Sequence, residues 1–216
     1  MQAPDGERTI DCYYSVRSIY AHFGAGRVTA LARQYGRRLR HFPIDLAQVV
    51  PAYGSVPFAQ RSATMRAYQF EVEVARWSAW LQMPVVLHPV HHHGDRVLPS
   101  CCVLAAQHLG QDVDSFAIAL LAALWRDDRD IGSTQVLASL AAGCGIAPEP
   151  MLELARSEAM QHRFQGHTAR AIGLGVPGSP TYVVDGELFF GQDRLMFVER
   201  HLAQTTQGAQ EARSGR

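Results

Sequence analysis

The sequence predicts an α/β fold in which a β-α-β unit and a β-β-α unit are separated by a long all-helical insertion. Three observations predict it. Strand-length runs of β-branched and aromatic residues lie near both ends, helical periodicity fills the middle, and an Asp-Gly turn joins two short strands before the last helix. The 216 residues are enough for one domain with an insertion, or for two small domains, around a sizeable core.

The first predicted unit is β-α-β. Residues 8–16 (RTIDCYYSV) concentrate β-branched and aromatic side chains in a run of strand length. Ser18 has the position of an N-cap for a helix that continues to about Tyr35 with apolar residues on one face. Residues 37–46 (RRLRHFPIDL) predict a second strand. This order favours a right-handed crossover and a parallel pair of strands.

The middle of the chain predicts helices, and its end predicts a hairpin and a last helix. The segments with helical periodicity are residues 65–81, 98–108, 113–126, 134–144 and 149–164. A short apolar run at residues 85–87 is the one strand-like stretch among them. Residues 181–184 and 188–190 then form a predicted hairpin about Asp185-Gly186, and a helix follows from about Gln192 to Leu202.

Without the helical segment, this order of elements is that of the thioredoxin fold. We expect a discontinuous thioredoxin-like domain of residues 8–56 and 169–203, with residues 57–168 as the insertion. Residues 204–216 contain almost no large apolar side chains, which predicts a disordered tail. In the thioredoxin arrangement a helix starts after the first strand and a proline precedes the third. The site is therefore expected between Ser18 and Ser179-Pro180.

Composition excludes several classes of function. Twenty basic and twenty acidic residues give a formal net charge of zero, which argues against a nucleic-acid partner. No apolar run approaches the roughly 20 residues of a membrane span, and the polar N-terminus predicts a cytoplasmic protein. The four cysteines have neither a C-x-x-C nor a zinc-binding spacing, and reduced thiols are expected: Cys12, Cys101, Cys102 and Cys144.

Ser18 occupies the position at which thioredoxin-type oxidoreductases carry a cysteine. The segment Ser18-Ile19-Tyr20-Ala21 has no thiol, so direct disulfide exchange is disfavoured. The unpaired N–H groups and the dipole of a helix N-terminus stabilise a thiolate, and a hydroxyl there can donate a hydrogen bond to a thiolate that a ligand brings. The alternative is that Ser18 only caps the helix, which is worth about 1 kcal/mol.

Two further segments complete the predicted site. A cis bond before Pro180 would leave the backbone of Ser179 free to pair with an extended, peptide-like ligand, although Pro180 could equally be an ordinary strand-initiating proline. Gln192-Asp193-Arg194 opens the last helix, where N–H groups suit a carboxylate and Asp193 could pair with an ammonium. The alternative for Asp193 is a helix cap. A ligand that lies across both segments needs an amino-acid head and a thiol, and this description fits glutathione.

The chain resembles the family of 2-hydroxychromene-2-carboxylate isomerases and kappa-class glutathione transferases, which have DsbA-like thioredoxin folds. Residues 10–21 (IDCYYSVRSIYA) and 178–200 (GSPTYVVDGELFFGQDRLMFVER) carry the resemblance, which covers about residues 9–202. It implies that Ser18 holds the glutathione thiolate, that Ser179 pairs with the cysteinyl backbone, and that Gln192 and Asp193 bind the γ-glutamyl head.

This chain departs from the family pattern at positions close to Ser18. Ile19 stands where the family usually has Pro, and Ser15 and His22 replace an Asp and a Tyr. The resemblance also implies a homodimer and a reaction in which the thiolate adds to an unsaturated aromatic substrate and later leaves.

A cluster of histidines is the most prominent polar feature of the helical segment. His88 and the run His91-His92-His93 are followed by Asp95. Three consecutive residues cannot easily face one ion, so a solvated or substrate-lining loop is favoured over a metal site. We expect His92 or His93, with Asp95, near the mouth of the pocket. Tyr20, one turn into the first helix, is a candidate contact for an aromatic substrate, with core packing as the alternative.

These observations predict a glutathione-dependent isomerase that acts on an unsaturated aromatic carboxylate. A kappa-like transferase that releases a glutathione conjugate is a second hypothesis. A non-catalytic thioredoxin-fold module that binds thiol peptides or a protein partner is a third. Retention on immobilised glutathione would separate the enzymes from the module, and the thiol balance after turnover would separate the two enzymes.

Overall fold

The computed structural model describes residues 8–214, with side chains as far as Thr206 in the last helix. Its sheet contains four strands: β1 (Thr9–Tyr14), β2 (Arg38–Pro43), β3 (Thr181–Val184) and β4 (Glu187–Phe190). The strand order is β2-β1-β3-β4. β1 runs parallel to β2 and antiparallel to β3, and β3 pairs antiparallel with β4. The predicted β-α-β unit and the predicted hairpin are both confirmed.

The hairpin turn follows from its two residues. Asp185 and Gly186 both have positive φ angles, of 51° and 87°, as a two-residue turn with right-handed strand twist requires. The Asp185 carboxylate accepts hydrogen bonds from both terminal nitrogens of Arg37, at 2.6 and 2.9 Å. This ion pair joins the turn to the start of β2 and lowers the pKa of Asp185.

Ten α-helices lie in the described part of the chain. They are α1 (Ile19–Gln34), α2 (Leu46–Ala52), α3 (Ala63–Ala67), α4 (Ala75–Leu81), α5 (Val97–His108), α6 (Val113–Trp125), α7 (Thr134–Gly143), α8 (Pro148–Ala155), α9 (Glu158–Gly173) and α10 (Leu195–Ser214). A π-helical stretch, Tyr68–Val74, joins α3 to α4. Among these helices, none within residues 8–214 is long and apolar enough to cross a membrane.

The boundaries of α2, α8 and α9 differ from the sequence prediction. Residues 149–164 form parts of α8 and α9 instead of one helix, because Ser157 caps a new helix by accepting a hydrogen bond from Met160 N–H. α9 continues to Gly173, across the predicted domain boundary at residue 168. α2 is absent from the prediction; it begins at the cap Asp45, directly after the second strand.

The last helix is longer than the sequence predicts. The expected helix ends near residue 202, but α10 continues to Ser214. Residues 204–214, for which a disordered tail is expected, are therefore helical, and residues 215 and 216 lie outside the described residues. This segment has few large apolar side chains, but its alanines, glutamines and glutamate have a high helix propensity, which favours continuation of the helix.

One continuous core connects the sheet to the helical insertion. Buried residues of β1 and α1 pack in the same cluster as those of α5 and α6. The outer edge of β2 is covered by α5, because Gln107 accepts a hydrogen bond from His41 N–H (2.8 Å) and donates one to His41 O (3.1 Å). This pairing satisfies the backbone of an edge strand with a side-chain amide.

Candidate functional site

Ser18 lies at the N-terminus of α1, as the sequence predicts. Its extended backbone makes it the N-cap, and its Oγ accepts a hydrogen bond from Ala21 N–H at 3.2 Å. The same hydroxyl donates to the carbonyl oxygen of Ser179, at 3.2 Å. Ser18 is buried, with 9% of its surface exposed. The hydroxyl is therefore both a helix cap and a direct contact to the residue before β3.

Ser179 and Pro180 lead into β3 beside this turn. The Ser179–Pro180 peptide bond is cis. The Oγ of Ser179 accepts a hydrogen bond from Ser15 N–H at 3.0 Å, so the two segments are joined in both directions. Among the described residues, no backbone hydrogen bond involves the N–H of Ser179. This N–H is available to a ligand that extends along the start of the strand.

Gln192, Asp193 and Arg194 form a short 3-10 turn before α10 and do not yet belong to the helix. Gln192 is 1% exposed, and its amide oxygen and backbone carbonyl both accept hydrogen bonds from Arg27 of α1. The Gln192 side chain is therefore part of the support of the turn. Asp193 is half-buried and forms an ion pair with Arg194.

The approach of the Asp193 carboxylate to the backbone requires a glycine at position 191. Gly191 has a φ of 103°, and a Cβ there would lie 2.4 Å from Oδ1 of Asp193. Its N–H donates to the carbonyl oxygen of Pro180 at 2.9 Å. The turn that carries Asp193 is thus fixed next to Pro180. We call Ser18, Ser179, Gln192 and Asp193 the polar wall of the site.

Tyr20 connects the polar wall to the helical insertion. It is half-buried in the first turn of α1. Burial, followed by the negative charge of Glu73, raises the pKa of its hydroxyl, and Asp193 adds to the effect while Arg61 opposes it. The Tyr20 hydroxyl therefore lies between groups of the polar wall and groups near the π-helical stretch, and it stays protonated at neutral pH.

The histidine run lies on a 3-10 turn, Val90–His93. His92 is half-buried, and its ring centroid lies 5.0 Å from that of Trp125. His93 is exposed and contacts the edge of His92 at 5.2 Å. Burial, then the charge of Arg17, lowers the pKa of His92, so its imidazole is neutral at neutral pH. Of the two candidates, His92 is the one that faces the protein.

Asp95 lies between the histidine turn and α5, and its place at the mouth of the pocket stays a prediction. Its carboxylate accepts hydrogen bonds from Val97 N–H and Leu98 N–H, at 2.8 and 3.2 Å, and so caps α5. In the described part of the chain, no hydrogen bond joins it to His92 or His93. Within residues 8–214, no group of three or more histidine, cysteine or acidic side chains is placed to hold a metal ion.

Aromatic side chains from three separate segments contact one another beside the histidine turn. Phe70, from the π-helical stretch, lies 6.1 Å from Trp125, and Trp125 contacts His92. Trp125 is fully buried, as expected for a core residue. We call Phe70, His92 and Trp125 the aromatic wall. Of these three residues, the sequence identified only His92 as a candidate site residue. Phe70 and Trp125 belong to the group because of contacts between segments that are distant in sequence, which local patterns do not predict.

Two arginines were missed by the sequence analysis. Arg27 holds Gln192, as described above. Arg17 donates from Nη1 to the carbonyl oxygens of His92 and Gly94, at 3.2 and 3.1 Å, and so joins the turn before α1 to the histidine loop. The position of Arg17 directly before Ser18 is the one sequence signal that could have identified it.

Known proteins resemble this chain over nearly its whole length. Residues 9–203 match the family described as the DSBA-like thioredoxin domain. A 2-hydroxychromene-2-carboxylate isomerase of Sphingobium xenophagum is 27% identical over 196 residues, or 90% of this chain and 98% of that protein. A protein of the same name from Pseudomonas sp. (strain C18) is 25% identical over 190 residues, 88% of each chain.

Solved structures show the same fold. A 2-hydroxychromene-2-carboxylate isomerase superposes with a TM-score of 0.76 at 22% identity, covering 94% of this chain and 98% of that one. The cytosolic disulfide reductase DsbM of Pseudomonas aeruginosa, solved with GSH, superposes with a TM-score of 0.68 at 17% identity, covering 94% and 99%. The predicted fold and the resemblance to the isomerases are confirmed, and the chain belongs to the DSBA-like thioredoxin domain family.

Proposed function

We propose that this chain is a glutathione-dependent isomerase of an unsaturated aromatic carboxylate similar to 2-hydroxychromene-2-carboxylate. One observation carries the proposal: the Ser18 hydroxyl, at the N-terminus of α1, lies 3.2 Å from the Ser179 carbonyl oxygen at the start of β3. A thiol that docks along β3 would meet a hydrogen-bond donor and a helix N-terminus at once. The name shared by relatives that match 90% and 88% of this chain supports isomerisation as the reaction.

The polar wall fits the parts of glutathione. The Ser179 N–H can donate to the backbone of the cysteinyl residue, as in strand addition. The half-buried Asp193 carboxylate is suited to the γ-glutamyl ammonium, and Arg194 beside it balances the charge when the ligand is absent. Gln192 supports this contact indirectly, because Arg27 holds its side chain in place.

When bound, glutathione supplies a thiolate that adds to the unsaturated carbon of the substrate and leaves after isomerisation, so that it is not consumed. Ser18 can turn its hydroxyl proton from the Ser179 carbonyl towards this sulfur while its lone pair still caps α1. The hydrogen bond and the helix N–H groups both favour the thiolate over the thiol. The chain thus activates a nucleophile that it does not itself carry.

The aromatic wall is suited to the substrate ring. Phe70 and His92 contact Trp125, which is fixed in the core. The lowered pKa of His92 keeps its ring neutral, and the raised pKa of Tyr20 keeps its hydroxyl a donor. A flat, partly polar substrate would find ring contacts and two neutral hydrogen-bonding groups on this side.

The proposal is tested by Ser18→Ala. The substitution removes one hydrogen bond to the thiolate and leaves the helix N–H groups, so the pKa of bound glutathione should rise without reaching its solution value. Turnover of 2-hydroxychromene-2-carboxylate should fall roughly 10- to 100-fold, as a charge-assisted bond of about 1.5–3 kcal/mol implies. The pKa is measured from the thiolate absorbance of bound glutathione against pH.

Ser157→Ala is the matched control, because Ser157 is also a serine N-cap, on α9 and outside the two walls. It should lose a similar amount of helix stability and leave the thiolate titration unchanged. If Ser18→Ala titrates and turns over like the wild type, Ser18 is a cap only and the proposed mechanism is wrong.

The thiol balance distinguishes the isomerase from a transferase. Free thiol should be the same before and after complete turnover, because the thiolate is released. A stoichiometric loss of thiol with formation of a conjugate would show a transferase in place of an isomerase.

A further inference from the structure

Arg17 adjoins Ser18 of the polar wall in sequence and contacts the backbone of His92, a residue of the aromatic wall. It is half-buried on the turn between β1 and α1, directly before Ser18. Its Nη1 donates to the carbonyl oxygens of His92 and Gly94, at 3.2 and 3.1 Å. Two neutral oxygens therefore orient the guanidinium without neutralising its charge.

Two other arginines near the sheet have a carboxylate partner. Arg37 lies 2.6 Å from Asp185, and Arg40 lies 2.6 Å from Asp11. In the part of the chain that the structure describes, no carboxylate lies within salt-bridge distance of Arg17, and its Nε and Nη2 have no hydrogen-bond partner. These nitrogens are also not sealed from solvent. Arg17 thus retains a pair of N–H donors for an outside acceptor.

The carboxylates nearest to Arg17 form hydrogen bonds with other groups. Asp45 accepts two hydrogen bonds from Arg96, both at 3.0 Å, and Asp95 caps α5. Burial and the neighbouring Arg96 lower the pKa of Arg17, while Asp45 and Asp95 oppose that shift. A half-buried guanidinium beside a second cation gains most when an anion binds to it, because its own solvation is incomplete.

The geometry points to Arg17 as the residue that recognises the carboxylate of the substrate. This inference rests on the proposed function. Glutathione is assigned to β3 and Asp193, whereas the guanidinium of Arg17 is fixed to the loop of His92, on the aromatic wall. A planar acid whose ring packs near His92 would present its carboxylate to Nε and Nη2. The fork of an arginine matches a carboxylate with two parallel hydrogen bonds, which a neutral amide cannot reproduce.

The test compares two stable probes by calorimetry: chromone-2-carboxylate and chromone-2-carboxamide. Wild type should bind the carboxylate roughly 10- to 100-fold more tightly than the carboxamide, the range of a charge-assisted contact. In Arg17→Gln the ratio should fall to about one while carboxamide affinity stays the same. Arg17→Lys should restore part of the ratio, because it keeps the charge and loses the fork. Arg163→Gln, an exposed arginine on α9, should keep the wild-type ratio.

Each other outcome overturns one claim. A ratio unchanged by Arg17→Gln, equal losses of affinity for both probes, or no binding of either probe to the wild type overturns the role of Arg17. A loss of glutathione affinity with an unchanged ratio would assign Arg17 to the glycyl carboxylate instead. If the ratio depends on Arg17 but wild type shows no glutathione-dependent isomerisation, the inference about Arg17 stands and the proposed function is wrong.

Discussion

The polar wall and the aromatic wall are built in different ways. The polar wall is held by partly buried hydrogen bonds between chain segments, such as those from Ser18 to Ser179 and from Arg27 to Gln192. The aromatic wall depends on ring contacts of half-buried side chains, Phe70 and His92, with one fully buried residue, Trp125. Directional bonds define positions closely, whereas ring contacts tolerate changes of shape.

This difference separates two tasks within one site. The polar wall combines backbone groups with buried and half-buried side chains that hydrogen bonds hold in place, so it suits a ligand that is always the same. The aromatic wall comes from an insertion whose residues contact one another mainly through rings, so single substitutions can change the substrate. The chain departs from the family pattern at Ser15, Ile19 and His22, yet the hydrogen bonds of the polar wall form.

The largest expected effect concerns His22, which is buried on α1. Burial, then the charge of Arg126, lowers its pKa to about 4. Since the unfolded chain binds a proton near pH 6.5 and the folded chain does not, stability is lost as pH falls from about 6.5 towards 4. At pH 4.5 the loss should be about 2–3 kcal/mol. Urea unfolding of wild type and His22→Leu at pH 7 and pH 4.5 measures it.

The control for His22→Leu is His108→Gln, because His108 is exposed at the end of α5. It should leave the pH dependence unchanged, whereas His22→Leu should reduce it. Tryptophan fluorescence reports the helical insertion, which contains all three tryptophans, and far-ultraviolet circular dichroism reports the whole chain. Two separate transitions at low pH would show that the walls unfold independently and would contradict a shared core.

The next effect tests how closely the polar wall is packed. A Cβ at Gly24 of α1 would lie 2.3 Å from the hydroxyl of Tyr182, which is fully buried in β3. Gly24→Ala should therefore destabilise the protein by about 1–3 kcal/mol, despite the better helix propensity of alanine. Gly26→Ala is the control, because nothing lies within 4 Å of its Cβ position. It should stabilise the protein by about 0.5–1 kcal/mol. Equal melting temperatures for the two variants would show that Tyr182 can move.

The smallest effect concerns the outer end of the polar wall. Asp193→Ala should weaken glutathione binding about tenfold, or about 1.4 kcal/mol, and leave the fold intact, because the carboxylate is half-exposed and its ion pair with Arg194 is local. Asp127→Ala is a matched control, since Asp127 pairs with its neighbour Arg126 in the same way. If calorimetry gives the same glutathione affinity for the wild type and both variants, Asp193 does not bind glutathione and only stabilises the turn.

Much of the fold could be predicted because its signals are local. The hairpin strands, the cap at Ser18 and the length of α1 follow from residue types within a few positions of one another. Ser179 and Pro180 were identified in the same way. A pattern of this kind reports backbone conformation and the face that each residue occupies.

The remainder depends on contacts between distant segments. Arg17 and the carbonyl oxygen of His92 are 75 positions apart, so no local pattern joins them. The histidines near Asp95 in the sequence do not indicate that the first N–H groups of α5 bind its carboxylate. The break between α8 and α9 depends on Ser157, the N-cap of α9. Helical periodicity continues on both sides of this serine, so the sequence did not predict a helix end there. The homodimer and the cytoplasmic location stay predictions.

The amide of Gln107 has a consequence for how this sheet could grow. It occupies the outward N–H and carbonyl of His41, and the next outward residue of β2, Pro43, has no N–H to offer. Of the two edge strands in the described part of the chain, β4 is therefore the one to which another strand could more readily pair. A filament in which each molecule extends the sheet of the next needs two unprotected edge strands per molecule. One unprotected edge strand permits only a dimer. Gln107 of α5 and Pro43 together thus disfavour open-ended polymerisation along the sheet.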